Sequence, residues 1–316
     1  MKLIAGDFMS DILSKAKRAL LCMQRYSWEQ GVAAQAFMEA GDAEETISLV
    51  YDAVNRQNSD GRLGFTWGDN GATDPMSLLE PLFFAAETTG DENLEIAAEK
   101  AINWALVDAP RSEKGVVYHV TYAPQFWVDA LYMLPPGLLA AGFGEEAVAQ
   151  ADGYIERLYD AKKSLFRAVW DERAKQFVSD KFWGVGNGWA ICGLTRMIEK
   201  SENNYTRERY IKIVRDTIAS ALEFQRGDFL FHNHLDEPTS FVECNFAQML
   251  CYAIKKGVRG GWLDKELLDT VPATLDAVLQ NLDAHGILHN VCGAPTFDKP
   301  GVAPEGQAFF ILSRVV

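Results

Sequence analysis

Apolar positions along the chain fall into two alternating helical patterns. Ile47, Val50, Tyr51 and Val54, and later Ile211, Val214, Ile218 and Leu222, recur three or four residues apart, the spacing that lays one apolar stripe along a helix. Between such amphipathic segments lie stretches that are apolar on nearly every side, beginning near Trp28, Pro75, Val128, Asn187, Val242 and Pro304. A helix apolar all round has to be covered all round, so these six predict inner helices and the amphipathic ones outer helices. An opening helix over residues 10–21 brings the outer set to six as well.

A short element of Gly or Ser followed by apolar and aromatic residues punctuates the pattern. It recurs at Gly61-Arg62-Leu63, Gly115 to His119, Ser164-Leu165-Phe166, Gly227 to Leu230 and Gly286 to His289, at intervals of 49 to 63 residues. Each interval holds one apolar and one amphipathic segment, which is a helical hairpin. Six hairpins close an all-α (α/α)6 barrel. Because every inner helix follows a loop and precedes an outer helix, all six run parallel, with their N-termini and the longer loops at one end. No linker or composition shift divides the chain, so one domain over residues 1–316 is expected.

Composition narrows the function. The chain is 48% hydrophobic and 23% charged over 316 residues, as a soluble globular protein is. The first residues meet Asp7 too early for a secretory signal. The most apolar stretch, residues 130–143, is interrupted by Pro135-Pro136 and too short for a membrane span. A net charge of −14 opposes binding to nucleic acid or an anionic membrane, both of which need a positive face. Five cysteines without a CxxC pair signal neither a disulfide framework nor a thiolate zinc site, and fit a reducing cytoplasm. His232 and His234 have metal-ligand spacing but no third partner that the sequence identifies, so no metal is expected.

Candidate chemistry gathers where the inner helices start: Trp28-Glu29-Gln30, Asp74-Pro75, Trp127-Val128-Asp129, Asn187-Gly188-Trp189, Glu243-Cys244-Asn245 and Glu305-Gly306-Gln307. Helix N-termini carry free N–H groups and partial positive charge, which favours an anionic ligand. Tryptophans among carboxylates suit sugars, whose C–H faces stack on rings while their hydroxyls need acceptors. Asp129 reads as lying one turn inside a helix among Trp127, Val128, Leu131 and Met133. In such dry surroundings a carboxylate shifts toward the protonated form that a general acid needs. Asp74 before Pro75 also fits an ordinary N-cap and N1 pair. Asn187 fits a helix cap, with Gly186 and Gly188 admitting a close ligand. Glu29, Glu243 and Glu305 read as solvated first-turn acids. His119 and His289 occupy equivalent repeat loops, where a role in binding substrate competes with plain surface placement. Trp104 and Trp170 read as packing residues.

Trp127-Val128-Asp129-Ala130-Leu131-Tyr132-Met133 resembles a signature of the unsaturated uronyl hydrolases, glycoside hydrolase families 88 and 105, with family 105 the nearer likeness. Gly186-Asn187-Gly188-Trp189 is similar to their second signature, and Asp74 falls where that group has its second acid. The likeness extends from Trp28-Glu29-Gln30-Gly31 to Glu305-Gly306-Gln307. It implies hydrolysis of acidic oligosaccharides left by polysaccharide lyases, whose terminal uronate carries a C4=C5 double bond. Asp129 would protonate C4 and then, as carboxylate, activate the water that adds at C5. Asp74 would hold sugar hydroxyls, no cofactor would be needed, and Trp28, Trp127, Met133, Asn187, Gly188, Trp189, His119 and His232 would bind the substrate.

Two positions depart from the resemblance. Val185 stands where the family often has an arginine before Gly-Asn-Gly-Trp, and Ala168 where it often has a histidine. Arg62, Arg167, Lys181 and the loop histidines are the candidates to supply the missing positive charge. The departures leave room for hydrolysis of a saturated glucuronide by two carboxylates, or for a sugar-binding barrel without catalysis. A zinc-dependent barrel is a further, weaker alternative.

Overall fold

The computed structural model describes residues 2–316, and the side chains from residue 9 onward. Helices dominate it. The outer ones are α1 (Lys2–Met23), α3 (Ala43–Asn55), α5 (Glu92–Asn103), α8 (Gly144–Leu158), α10 (Asn204–Leu222) and α12 (Val271–Leu279). The inner ones are α2 (Ser27–Glu39), α4 (Leu79–Thr89) with a preceding 3-10 turn over Asp74–Leu78, the pair α6 (Ala130–Met133) and α7 (Pro135–Ala140), then α9 (Gly184–Lys200), α11 (Asn245–Arg259) and α13 (Pro304–Val315). Each inner element packs on the next around the ring, and α13 returns to α2. This is the six-hairpin α/α barrel, with one continuous apolar core reaching from Ile12 to Leu312.

Local chemistry sets the helix ends. Gly90 closes α4 at φ 68°, the left-handed conformation that glycine adopts without strain, and Asp91 caps α5 by accepting from the Asn93 N–H at 2.9 Å. Asn203 does the same for α10 through the Thr206 N–H at 3.1 Å. Along α9 the backbone approaches its neighbour so closely that a Cβ at Gly193 would sit 2.2 Å from the Leu131 carbonyl oxygen. A side chain there would force α6 and α9 apart.

Four sequence expectations are corrected. The opening helix is longer than residues 10–21, covering Lys2–Met23. Val242 belongs to a two-residue strand paired with Phe231–His232, and α11 starts at Asn245. The third inner helix is broken, because Pro135 and Pro136 have no N–H for the preceding turn and begin α7 instead. Asp129 is not inside a helix: it occupies the N-cap position of α6. Strand pairing holds it there. Gln125–Trp127 lies antiparallel to Val169–Asp171, which pairs in turn with Gln176–Ser179, and the Val128 N–H donates to the Ala168 carbonyl at 3.0 Å. No helix among the described residues is long and apolar enough to cross a membrane.

Candidate active site

A cavity of about 640 Å³ opens at the end where the inner helices begin. Aromatic walls come from Trp28, Trp127, Trp183 and Trp189, with Met133 beside them. Tyr26 stacks on Trp28 with ring centroids 4.5 Å apart and planes 6° from parallel. Trp127 is oriented by its ring N–H, which donates to Gln125 Oε1 at 3.0 Å.

Asp74, His119 and Asp129 meet against this wall. His119 Nε2 lies 3.8 Å from Asp74 Oδ1 and 3.7 Å from Asp129 Oδ2, while Nδ1 bonds the Thr73 hydroxyl at 2.8 Å. The imidazole is buried and stacks on Trp127 at 4.9 Å, and the His119 backbone N–H donates to the Gln125 carbonyl. Asp74 is the deeper acid, its side chain 8% exposed against 18% for Asp129. Burial pushes the Asp74 carboxyl up to about 7, with His119 opposing and the Asp129 charge adding to the shift. Asp74 does not cap its helical turn, unlike an ordinary N-cap aspartate. A Cβ on Gly71 would sit 2.3 Å from Asp74 Oδ2, so only glycine leaves that carboxylate its place. Asp129 Oδ1 is buried with no hydrogen bond among the described residues.

Three acids read as solvated are buried instead. Glu29 turns back to accept from the N–H groups of Arg25 at 2.6 Å and Tyr26 at 3.1 Å. Glu243 accepts from the N–H groups of Asn245, Phe246 and Cys292, and burial still carries it up to about 7. Glu305 lines the cavity floor, where burial, with Glu29 and Glu243 nearby, raises it to about 8. The first turns of inner helices point inward, which a first-turn rule drawn from surface helices misses.

These shifts set a pH dependence. A carboxyl whose folded pKa exceeds its unfolded value contributes stability that is complete below the unfolded pKa, about 4.3, and lost as pH rises through the folded one. The melting temperature is therefore expected to fall between about pH 5 and pH 8.5, by on the order of 5 °C. Glu305→Gln, which cannot ionise, should fall less steeply over the same range when followed by scanning fluorimetry. Equal slopes for the two proteins would contradict the assignment.

Several expected binding residues lie elsewhere. Asn187 is fully buried: its Oδ1 accepts the Phe166 N–H at 2.8 Å and its Nδ2 donates to the Phe166 and Trp183 carbonyls, each at 3.0 Å. It fastens a repeat loop to α9 and does not face the cavity. Gly188 makes room for Met249, whose sulfur would lie 2.6 Å from an added Cβ, so its role is helix packing. His232 is also outside, its Nδ1–H donating to the Ser240 carbonyl and its Nε2 accepting from Arg226, both at 2.8 Å. His289 is exposed beside Asp283. Trp104 is buried, its ring N–H donating to the Ala72 carbonyl at 3.1 Å. Trp170 packs edge-on against Phe177.

Of the proposed sources of positive charge, the loop histidines His119 and His234 line the cavity, while the arginines and the lysine are engaged away from it. Arg62 pairs with Asp60, Arg167 with Asp160 and Lys181 with Glu237. Ala168 is on the cavity wall, whereas Val185 is buried within α9. Asp69, Tyr122 and Phe297, none singled out for substrate binding by residue type and spacing, also line the cavity. Asp69 accepts from the Ser27 hydroxyl and the Gly71 N–H, fixing the loop that carries Asp74. Among the described residues no group of three His, Cys, Asp or Glu is placed to hold a metal ion.

The glycosyl hydrolase family 88 model matches residues 1–306. An unsaturated rhamnogalacturonyl hydrolase, YesR of Bacillus subtilis, is 29% identical over 271 residues, covering 80% of this chain and 76% of that protein. A Klebsiella pneumoniae structure described as a possible member of family 105 superposes with a TM-score of 0.86 at 22% identity, over 98% of this chain and 92% of that one. A family 105 glycoside hydrolase of C. acetobutylicum gives 0.80 at 20% identity, over 97% and 98% of the two chains. With its family match running over nearly the whole length and two aspartates gathered around one histidine in an aromatic cavity, the chain belongs to glycosyl hydrolase family 88.

Proposed function

We propose that this glycoside hydrolase removes the terminal 4,5-unsaturated uronic acid from acidic oligosaccharides released by polysaccharide lyases. The convergence of Asp74 and Asp129 on His119 carries the reading, supported by the likeness to an unsaturated rhamnogalacturonyl hydrolase. Asp129, the more accessible acid, gives its proton to C4 of the enol ether, and positive charge develops at C5 and the ring oxygen. Water adds at C5 while the Asp129 carboxylate takes up its proton. The hemiketal at C5 opens, leaving C1 as a hemiacetal that expels the next sugar. Asp74, whose carboxyl burial pushes up to about 7, holds sugar hydroxyls, and His119 lies between the two acids. Trp28, Trp127 and Trp189 stack on the sugar ring.

The reading takes residues 1–316 as one catalytic domain, supported by the continuous core and by α13 supplying Glu305 to the cavity. It places the enzyme in the cytoplasm, consistent with five cysteines in free form. Hydrolysis of saturated glucuronides and binding without turnover draw no support from the relatives.

A panel of lyase-generated oligosaccharides, led by unsaturated rhamnogalacturonan fragments, provides the test. The expected result is loss of the ultraviolet absorbance of the conjugated double bond together with a new reducing end. Cleavage of a saturated glucuronide, with no absorbance loss on any unsaturated member, would overturn the reading.

A further inference from the structure

We propose that His234, held by Glu237 on the cavity wall, recognises the carboxylate of the substrate, an inference that rests on the uronate reading above. Among the described residues the cavity is lined by four acids, Asp69, Asp74, Asp129 and Glu305, and by no lysine or arginine. An anionic sugar entering it needs a compensating cation, because an unpaired charge in a largely dry site is costly. Two histidines are available on the wall. His119 is already committed, with Nδ1 on Thr73 and Nε2 between two aspartates.

His234 is differently placed. Its Nδ1 lies 3.0 Å from Glu237 Oε2, and Nε2 makes no hydrogen bond among the described residues. Glu237 is shared with Lys181, so the row Lys181, Glu237, His234 carries one net positive charge when the ring is protonated. A substrate carboxylate would be the second anion beside that ring and would favour its protonated form. The loop is rigidly mounted: the His234 N–H donates to Ser240 Oγ at 3.0 Å, the Leu235 N–H to the Phe182 carbonyl at 2.9 Å, and the Gly184 N–H to the Asn233 carbonyl at 2.8 Å. These bonds set His234 against the first turn of α9, a 17-residue helix whose leading N–H groups add positive potential at the same place. The His234 ring and the start of α9 thus meet on the wall of the cavity that also holds Asp74, Asp129 and His119.

The test compares the unsaturated disaccharide with its C6 methyl ester, which keeps the ring and the double bond and removes the charge. The readout is the ratio of kcat/KM for acid over ester, followed by absorbance loss. Wild type should prefer the acid, and His234→Ala and His234→Gln should both reduce that preference by about 10- to 100-fold, chiefly through KM, as loss of a charge-assisted hydrogen bond does. His234→Lys, which restores a cation, should recover part of it. A wild-type ratio kept by both neutral variants would overturn the assignment, as would a wild type that turns over acid and ester equally well. A wild type that cleaves neither compound would instead overturn the uronate reading itself, so the two failures are distinguishable.

Discussion

Asp129→Asn is expected to cleave unsaturated substrate on the order of 10²–10⁴-fold more slowly than wild type, the usual worth of a positioned general acid. Asparagine matches aspartate in shape and cannot donate a proton to carbon. The loss should fall on kcat and kcat/KM alike, with KM little changed, because the proton is needed only in the transition state. Stability should hold: Asp129 makes no side-chain capping bond to α6, and its Oδ1 makes no hydrogen bond among the described residues. Initial rates by ultraviolet absorbance, with melting temperatures measured in parallel, decide the matter. Turnover at the wild-type rate would remove Asp129 from the chemistry.

The largest loss of stability is expected at Arg196, beneath the cavity. Its guanidinium is buried, with Nη1 2.9 Å from Glu39 and 3.4 Å from Glu80, and Nε 3.4 Å from the Tyr132 hydroxyl. Lys256 joins the same Glu39 at 3.2 Å and Glu199 at 3.1 Å. Arg196→Met keeps the bulk but leaves Glu39 with Lys256 and Glu80 with Lys200 as their remaining cations, and removing one partner of a buried pair costs up to about 3–5 kcal/mol. The melting temperature should drop by roughly 10 °C. Adding Glu39→Gln should recover part of the loss, because the under-compensated charge itself is what destabilises. A single variant that melts with wild type, or a double variant worse than the sum of its parts, would show that the network does not hold the barrel. Tyr132 also packs on Trp189 at 4.8 Å, so slack in this network reaches the sugar-facing wall.

The barrel was legible because its signal is repeated. Helices apolar on all sides and helices with one stripe alternate over the whole chain, and no local irregularity erases twelve such segments. Asp74, Asp129 and the tryptophans were legible because each lies at or near the start of an inner helix, and the parallel arrangement carries all those starts to one end. What escaped depends on contacts that spacing does not encode. The strands that place Asp129 are two to four residues long, too short for alternation to register. Asn187 shows a polar residue beside glycine, yet its partners are 21 residues away on the Phe166 backbone. His232 and His234 are two positions apart, a spacing that in an unbroken strand would put both on one face, but the strand ends at His232 and only His234 reaches the cavity. Glu29 and Glu305 were misread because a first-turn acid is usually wet, and here the first turns form the inside of a ring; Glu243 lies before α11, in a strand, and turns its carboxylate onto the leading N–H groups of that helix.

Ring closure has a bearing on synthesis. α13 packs against α1, α2 and α11, and Gln307 Nε2 donates to the Ala16 carbonyl at 3.3 Å across 291 positions of sequence. A nascent chain on the ribosome that has not yet produced α13 leaves flanks of α2 and α11 bare, and lacks Glu305 from the pocket floor. Assembly therefore cannot finish hairpin by hairpin as translation proceeds. The last step is a long-range docking, which makes late folding slow and leaves the unfinished barrel sticky, a natural client for a chaperone.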